Sequence, residues 1–377
     1  MDTTTIIDEK ERQARLRLSL VRGVGTVRFA QAMEVFGSAL ATLAAPRKRL
    51  AEVLDVEAAR QITSTAGMRA VDETIERQDR LLETVGARRI VVGENDYPTR
   101  LLDRGELVPT ICALGDISVT RQRCVAIVGR RAATGVGQKM ATRLAARLTE
   151  KGRVVVSGGA YGIDAAAHVG AMDAGGQTLC VFGAGIDIAY PERHIDLFRR
   201  IANQGCIVSQ FEPGTQPQRG CFLRRNRIIA ALAEAVIVVE AGARSGARST
   251  ALAARSMDGP VWSVPGSMGT DRLIAEGAEP LSNIDDLDRL LDGHTTGSAP
   301  KGPHNKDLTG PQRTLLDVLA KGPARLPGDL ARQSGLPPGR VMAVLVELQL
   351  HGLVVAHAGG RYETTYHHPA SRHERES

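Results

Sequence analysis

The chain has 377 residues, with 48 Lys plus Arg against 42 Asp plus Glu and a formal net charge of +6. Hydrophobic residues make up 43%, enough for two or three domain cores, and with aromatics at 3% those cores must be built from Ala, Val, Leu and Ile. No run of about 18 apolar residues predicts a membrane span, the charged amino end lacks a signal-peptide core, and five scattered cysteines without a CxxC pair offer neither a zinc site nor a disulfide framework, so a reducing cytoplasm is expected.

Residues 1–84 read as a helical domain, rich in Ala and Leu and broken at Arg22-Gly23-Val24-Gly25. That turn between two amphipathic segments is either a helix-hairpin-helix whose helix-start amides hold a phosphate, or a plain connector. Residues 85–291 then form the core domain. A short strand at 90–92 is followed by an irregular stretch containing Tyr97-Pro98 and Pro109.

From Cys124 the pattern alternates. Strand-like runs at 124–128, 154–157, 178–182, 206–209, 235–239 and 261–264 are separated by helical segments at 137–150, 163–174, 193–203, 225–234 and 249–257. Short apolar strands each followed by a helix predict a Rossmann-like, doubly wound, mostly parallel α/β sheet, whose ligand lies beyond the strands' carboxyl ends. Charge collects here too. Residues 121–272 carry 20 basic and 11 acidic groups, while 1–120 carry 17 and 18, and 273–377 carry 11 and 13. Of the 48 bases, 41 are Arg, whose planar fork suits phosphate.

The strand ends hold the unusual residues. The first enters Gly129-Arg130-Arg131, a glycine turn with two cations before a helix start, compatible with an anion or with a purely structural turn. It matches neither the GxGxxG nor the P-loop fingerprint. The second ends in Ser157-Gly158-Gly159, with Asp164 and His168 one helical turn apart, a spacing that fits a structural carboxylate–imidazole bond better than a dyad lacking a nucleophile. Further small-residue helix starts occur at Ser245-Gly246 and after Val264-Pro265-Gly266. Gly158, Gly159, Ser245 and Gly246 are thus secondary phosphate-loop candidates. The densest feature is Arg219 to Arg227, with Arg219, Arg224, Arg225 and Arg227 around Phe222 and Asn226. It reads as a solvated charged face or, with an aromatic able to stack on a base, as a single-strand groove.

Residues 292–308 form a polar Gly/Pro-rich linker, and 309–366 follow as helices at 310–320, 327–334 and 337–350 with a hairpin at 353–364, the winged-helix order. The third helix carries only Arg340 and Glu347 as charges, which favours a protein-contact role over duplex reading. Residues 367–377 read as a disordered tail.

Taken in order, these motifs resemble the DNA-processing protein A (DprA/Smf) family over nearly the whole chain. The matching segments are Tyr97-Pro98, Gly129-x-Arg131, Ser157-Gly-x-Ala160-x-Gly162-Ile163-Asp164-x-x-Ala167-His168, Tyr190-Pro191, Phe222-x-x-Arg225-Asn226-Arg227-Ile228-Ile229, Val239-Glu240-Ala241 with Ser245-Gly246 and Thr250, and Val264-Pro265-Gly266. The resemblance implies a cytoplasmic protein that binds single-stranded DNA, loads the RecA recombinase onto it in natural transformation and recombination, forms dimers and assembles on DNA. It brings no enzymatic activity, cofactor or metal. Its DNA pocket would comprise Gly129, Arg131, Arg219, Phe222, Arg225, Asn226 and Arg227, to which Arg130 adds a charge where the family commonly has a hydroxyl. Gln210 stands where the family has a glutamate, and Leu223 where it has a proline. The competing class, a nucleoside-phosphate-cleaving Rossmann enzyme, would need a Pro-Gly-Gly-x-Gly-Thr loop that is absent; a non-DNA scaffold is a third reading.

Overall fold

The computed structural model describes residues 7–243, 245–291, 308–350, 353–357 and 360–364. The predicted linker 292–308, apart from Leu308, and the tail 367–377 lie outside them.

Six helices open the chain: α1 (Glu9–Ser19), α2 (Thr26–Phe36), α3 (Ala39–Ala44), α4 (Arg47–Val53), α5 (Val56–Ile62) and α6 (Thr65–Val85). Ser38, Asp55 and Ser64 cap α3, α5 and α6 through side-chain oxygens. The buried Glu11 carboxylate accepts the Ala39 and Leu40 amides at 2.9 and 3.0 Å, an acid placed on the positive end of α3. At the Arg22–Gly25 turn, Arg28 pairs with Asp55 and donates to the Gly23 carbonyl at 2.8 Å. A carboxylate paired with Arg28 therefore lies against this turn.

The strands are β1 (Arg88–Val91), β2 (Thr110–Gly115), β3 (Cys124–Val128), β4 (Val154–Ser157), β5 (Thr178–Val181), β6 (Cys206–Ser209), β7 (Ala235–Val238), β8 (Val261–Ser263) and β9 (Glu279–Pro280). They form a nine-stranded sheet in the order β1-β2-β6-β5-β4-β3-β7-β8-β9. Pairing is antiparallel for β1–β2 and β2–β6 and parallel for β5–β6, β3–β7, β7–β8 and β8–β9. The Rossmann-like expectation holds, extended by an antiparallel edge. Strand β2, hidden between Pro109 and a following turn, belongs to the stretch read as irregular.

The interleaved helices are α7 (Arg100–Asp103), α8 (Gly135–Glu150), α9 (Ile163–Asp173), α10 (Ile195–Gln204), α11 (Arg219–Leu232), α12 (Gly246–Arg255), α13 (Met268–Ala275) and α14 (Ile284–Leu291). The winged-helix order is also present, as α15 (Gly310–Ala320), α16 (Pro327–Ser334), α17 (Pro338–Leu350), β10 (Val354–His357) and β11 (Arg361–Thr364).

The chain divides into two compact units. The first contains Met1–Cys124, Val156–Gly159 and Gly176–Ala233; the second contains Val125–Val155, Ala160–Gly175 and Glu234–Ser377. In the second, α8 and α9 bury Met140, Leu144, Leu148, Ile163 and Ala167 with Ile127, Val155 and Ile237, and Val346 of α17 joins the same core. The winged-helix part keeps its own core of Leu315, Leu319, Leu330, Val341, Leu345 and Tyr362. Asp164 and His168 are both buried on α9, with the Ala160 amide donating to Asp164 at 3.4 Å, which suits a structural role.

Candidate nucleic-acid interface

Every expected phosphate loop began as a glycine-rich strand end, and the structure fills most of them with the protein's own groups. In the second unit, the Glu240 carboxylate sits on the start of α8. It accepts the Thr134 amide at 2.9 Å and the Thr134 hydroxyl at 3.0 Å, and stands 3.5 Å from the Arg130 guanidinium. At Gly137 a Cβ would collide with the same carboxylate, which explains the glycine. The anion position at the β3–α8 turn is thus taken by an internal carboxylate, 8% exposed. Gly129 packs its backbone on Ile163, so its reading as a phosphate contact changes to close packing. Arg130 is exposed but balanced by Glu240; Arg131 is exposed.

The same correction applies further along. Gly158 and Gly159 are buried, and their carbonyls serve the fold rather than a ligand. After β8, the Gly266 amide donates to Asp271 at 2.8 Å, and Ser267 with Thr270 forms a capping box on α13. At the β7–α12 start, Ser245 caps the helix through the Ala247 amide, and Gly246 is exposed, with no heavy atom within 4 Å of where a Cβ would stand.

The Arg-rich segment, in the first unit, also differs from the expectation. It is not a loop, because α11 already begins at Arg219, after Pro217 and Gln218. Winding these residues on a helix sorts them by face. Arg225 and Asn226 point inward, 5% and 7% exposed, while Arg219, Leu223, Arg224 and Arg227 are exposed and Phe222 is half-buried.

Arg225 is therefore a strut and not a groove-lining cation. Its Nη1 donates to the carbonyls of Gly158 and Val181 at 2.6 and 2.7 Å, joining the ends of β4 and β5. Its Nε donates to Asn226 Oδ1 at 3.1 Å, so that acceptor is committed to the interior instead of a base. A guanidinium taken out of water is stable only with such partners. Arg227 is partly exposed and bound to Glu106 at 2.6 Å, and Arg224 lies over the Phe211 ring at 5.2 Å. Arg219 projects from the first turn of α11 into solvent.

The aromatic component is larger than Phe222 alone. Phe222 lies on the backbone of Gly183, where a Cβ would stand 2.6 Å from the ring. Tyr190, 43% exposed, sits beside it with centroids 5.6 Å apart and planes inclined by 41°. The Tyr190–Pro191 peptide bond is cis. Spacing could not have paired these rings, which are 32 positions apart; the available sign was a Tyr-Pro dipeptide after a strand end. Neighbouring bonds shape the loop: Ser209 Oγ donates to the Ala184 carbonyl at 2.6 Å and accepts the Phe211 amide at 3.1 Å. Gln210, where the family has a glutamate, buries its Nε2 without a hydrogen-bond partner among the described residues.

Two family models match this chain. The model for DNA recombination-mediator protein A covers residues 88–292, and that for the DprA winged helix domain covers 299–360. The chain belongs to the DprA family. It is 36% identical over 317 residues to the putative DNA processing protein DprA of Mycobacterium tuberculosis, spanning 78% of this chain and 81% of that protein. To Protein Smf of Escherichia coli it is 33% identical over 281 residues, 70% of this chain and 74% of that one. Among solved structures, DprA of Streptococcus pneumoniae superposes with a TM-score of 0.59 at 27% identity, covering 77% of this chain and 99% of that chain. DprA of Helicobacter pylori, described for its single-stranded DNA binding mode, gives 0.51 at 29% identity, covering 55% and 97%. Membership of the DprA family makes this a DNA-processing protein, and no helix among its described residues is long and apolar enough to cross a membrane.

Proposed function

We propose that this chain binds single-stranded DNA and loads the RecA recombinase onto it, acting as a homodimer that assembles on DNA in natural transformation and recombination. The observation that carries the DNA reading is the outer face of α11. Arg219, Arg224 and Arg227 are exposed there, on the same helix that carries Phe222 of the Tyr190–Phe222 ring pair, so one element supplies both phosphate-binding cations and stacking surface. Within the second unit, exposed Arg131 and the Ser245–Gly246 helix start are the remaining phosphate candidates. The cytoplasm is the compartment where such a substrate and partner meet. The proposed role is binding and delivery, with no catalytic residue and no cofactor.

A protein-contact role for the winged-helix domain is supported by the packing of α17. From Val341 to Gln349 none of its side chains is exposed, and Glu347 accepts from Gln312 at 2.9 Å. A recognition helix must present several side chains to a groove, and this one presents only its first turn.

The test compares single-stranded with duplex oligonucleotides of roughly 30 nucleotides in a mobility-shift titration. The parent should prefer the single strand, and Arg219→Ala/Arg224→Ala should weaken it and lower the salt dependence by about two counterions' worth. Unchanged affinity in that variant would remove α11 from the interface. RecA delivery is tested separately, as filament formation on strands coated with single-strand binding protein.

A further inference from the structure

The DNA reading leaves open which group receives a base. We infer that Tyr190 is the principal base-stacking platform and that Phe222 is the ring supporting it; this rests on the single-stranded DNA reading above.

Accessibility separates the two rings. Phe222 is half-buried, laid on the Gly183 backbone, with the Arg225 guanidinium carbon 5.8 Å from its centroid. Tyr190 is 43% exposed, and only it and Tyr161 are exposed among the aromatic side chains described, in a chain with 3% aromatics. Exposing a large ring in so aromatic-poor a molecule leaves apolar surface in water for which the fold has no use.

The geometry also decides where a base can go. A base inserted between the rings needs them about 7 Å apart, twice the ~3.4 Å stacking rise. At 5.6 Å and 41° there is no slot between them, so the base must lie on the outer face of Tyr190. That ring is held for the purpose. The following turn is closed by the His194 amide on the Pro191 carbonyl at 2.9 Å, and His194 Nδ1 is 3.0 Å from the Gly159 carbonyl. No hydrogen bond to the Tyr190 hydroxyl occurs among the described residues, so it is the ring, not the oxygen, that matters.

The experiment uses the full-length chain and an oligothymidylate of roughly 30 nucleotides carrying one 2-aminopurine, whose fluorescence falls when it stacks. Tyr190→Phe should keep parental quenching and affinity. Tyr190→Leu should lose most of the quenching and bind roughly 5- to 150-fold more weakly, the loss of one stacked base. Its salt slope should stay parental, because no phosphate contact is removed. Far-UV circular dichroism of both variants should match the parent, since the side chain is on the surface. Parental quenching and affinity in Tyr190→Leu, with both lost in Phe222→Leu, overturn the assignment while leaving the DNA reading intact. A parent that fails to bind any single strand at low salt overturns the DNA reading and the assignment with it.

Discussion

Replacing Arg225 by Met separates a structural cation from a DNA-contacting one. The side-chain stem is kept and the guanidinium removed, leaving the Gly158 and Val181 carbonyls without the Nη1 that bonds them at 2.6 and 2.7 Å. Hydrogen bonds to a charged group contribute about 1.5–3 kcal/mol each, so their loss costs about 3–6 kcal/mol gross. Against this stands the desolvation of a buried guanidinium, which the variant no longer bears and which is several kcal/mol in its own right. A net loss of about 2–4 kcal/mol is expected, since the orphaned carbonyls at two adjacent strand ends keep their own penalty. Urea unfolding followed by circular dichroism reads it as a lower midpoint with little change in slope. A loss below about 0.5 kcal/mol, together with weakened DNA binding, would refute the reasoning and return Arg225 to the solvent side of the interface.

Three further outcomes are expected. Glu240→Gln removes the charge on the α8 N-terminus and should destabilise the fold by about 1–2 kcal/mol, seen as a lower melting temperature; an unchanged melting curve would mean that the carboxylate contributes nothing there. Cys112, Cys124, Cys180 and Cys206 are buried and Cys221 on α11 is partly exposed, so iodoacetamide should alkylate Cys221 first. Saturating single-stranded DNA should slow that reaction, and an unaffected rate would argue against α11 as the interface. Burial pushes the Cys112 and Cys206 thiols up from the ordinary 9.0 to about 12. Below the lower value both folded and unfolded chains hold these protons; between the two only the unfolded chain loses them, so stability falls as pH rises through that window. Cys206→Ala should flatten the fall between about pH 9 and pH 12, and an unaltered slope would assign the alkaline loss to other groups.

Short apolar strands alternating with helices announced the parallel sheet from sequence alone, because strands covered on both faces must be apolar throughout. The winged-helix order was legible for a similar local reason, three periodic helices and a glycine turn. Strand β2 was not, since its apolar residues follow Pro109 closely and its identity depends on pairing with β1 and β6. The Arg-rich segment is legible in the sequence and the facing of its side chains is not, because charge can be counted along a chain while the facing of a helix cannot be fixed without its first residue.

Glycine runs and helix starts identify places where an anion can sit, and the amino-acid order was enough to find four of them. It could not say what occupies them. Glu240 stands 106 positions after Thr134, and Asp271 reaches back to Gly266; both supply the anion from within the protein. Tyr190 likewise meets Phe222 only because the fold brings the loop after β5 against α11. Composition, periodicity and motif order determined the domain classes, the family resemblance and the charged segment, all properties set by near neighbours in the chain. Which cations face solvent, which amides are already satisfied and which ring is exposed were decided by tertiary packing, because burial and hydrogen-bond competition depend on residues far apart in sequence.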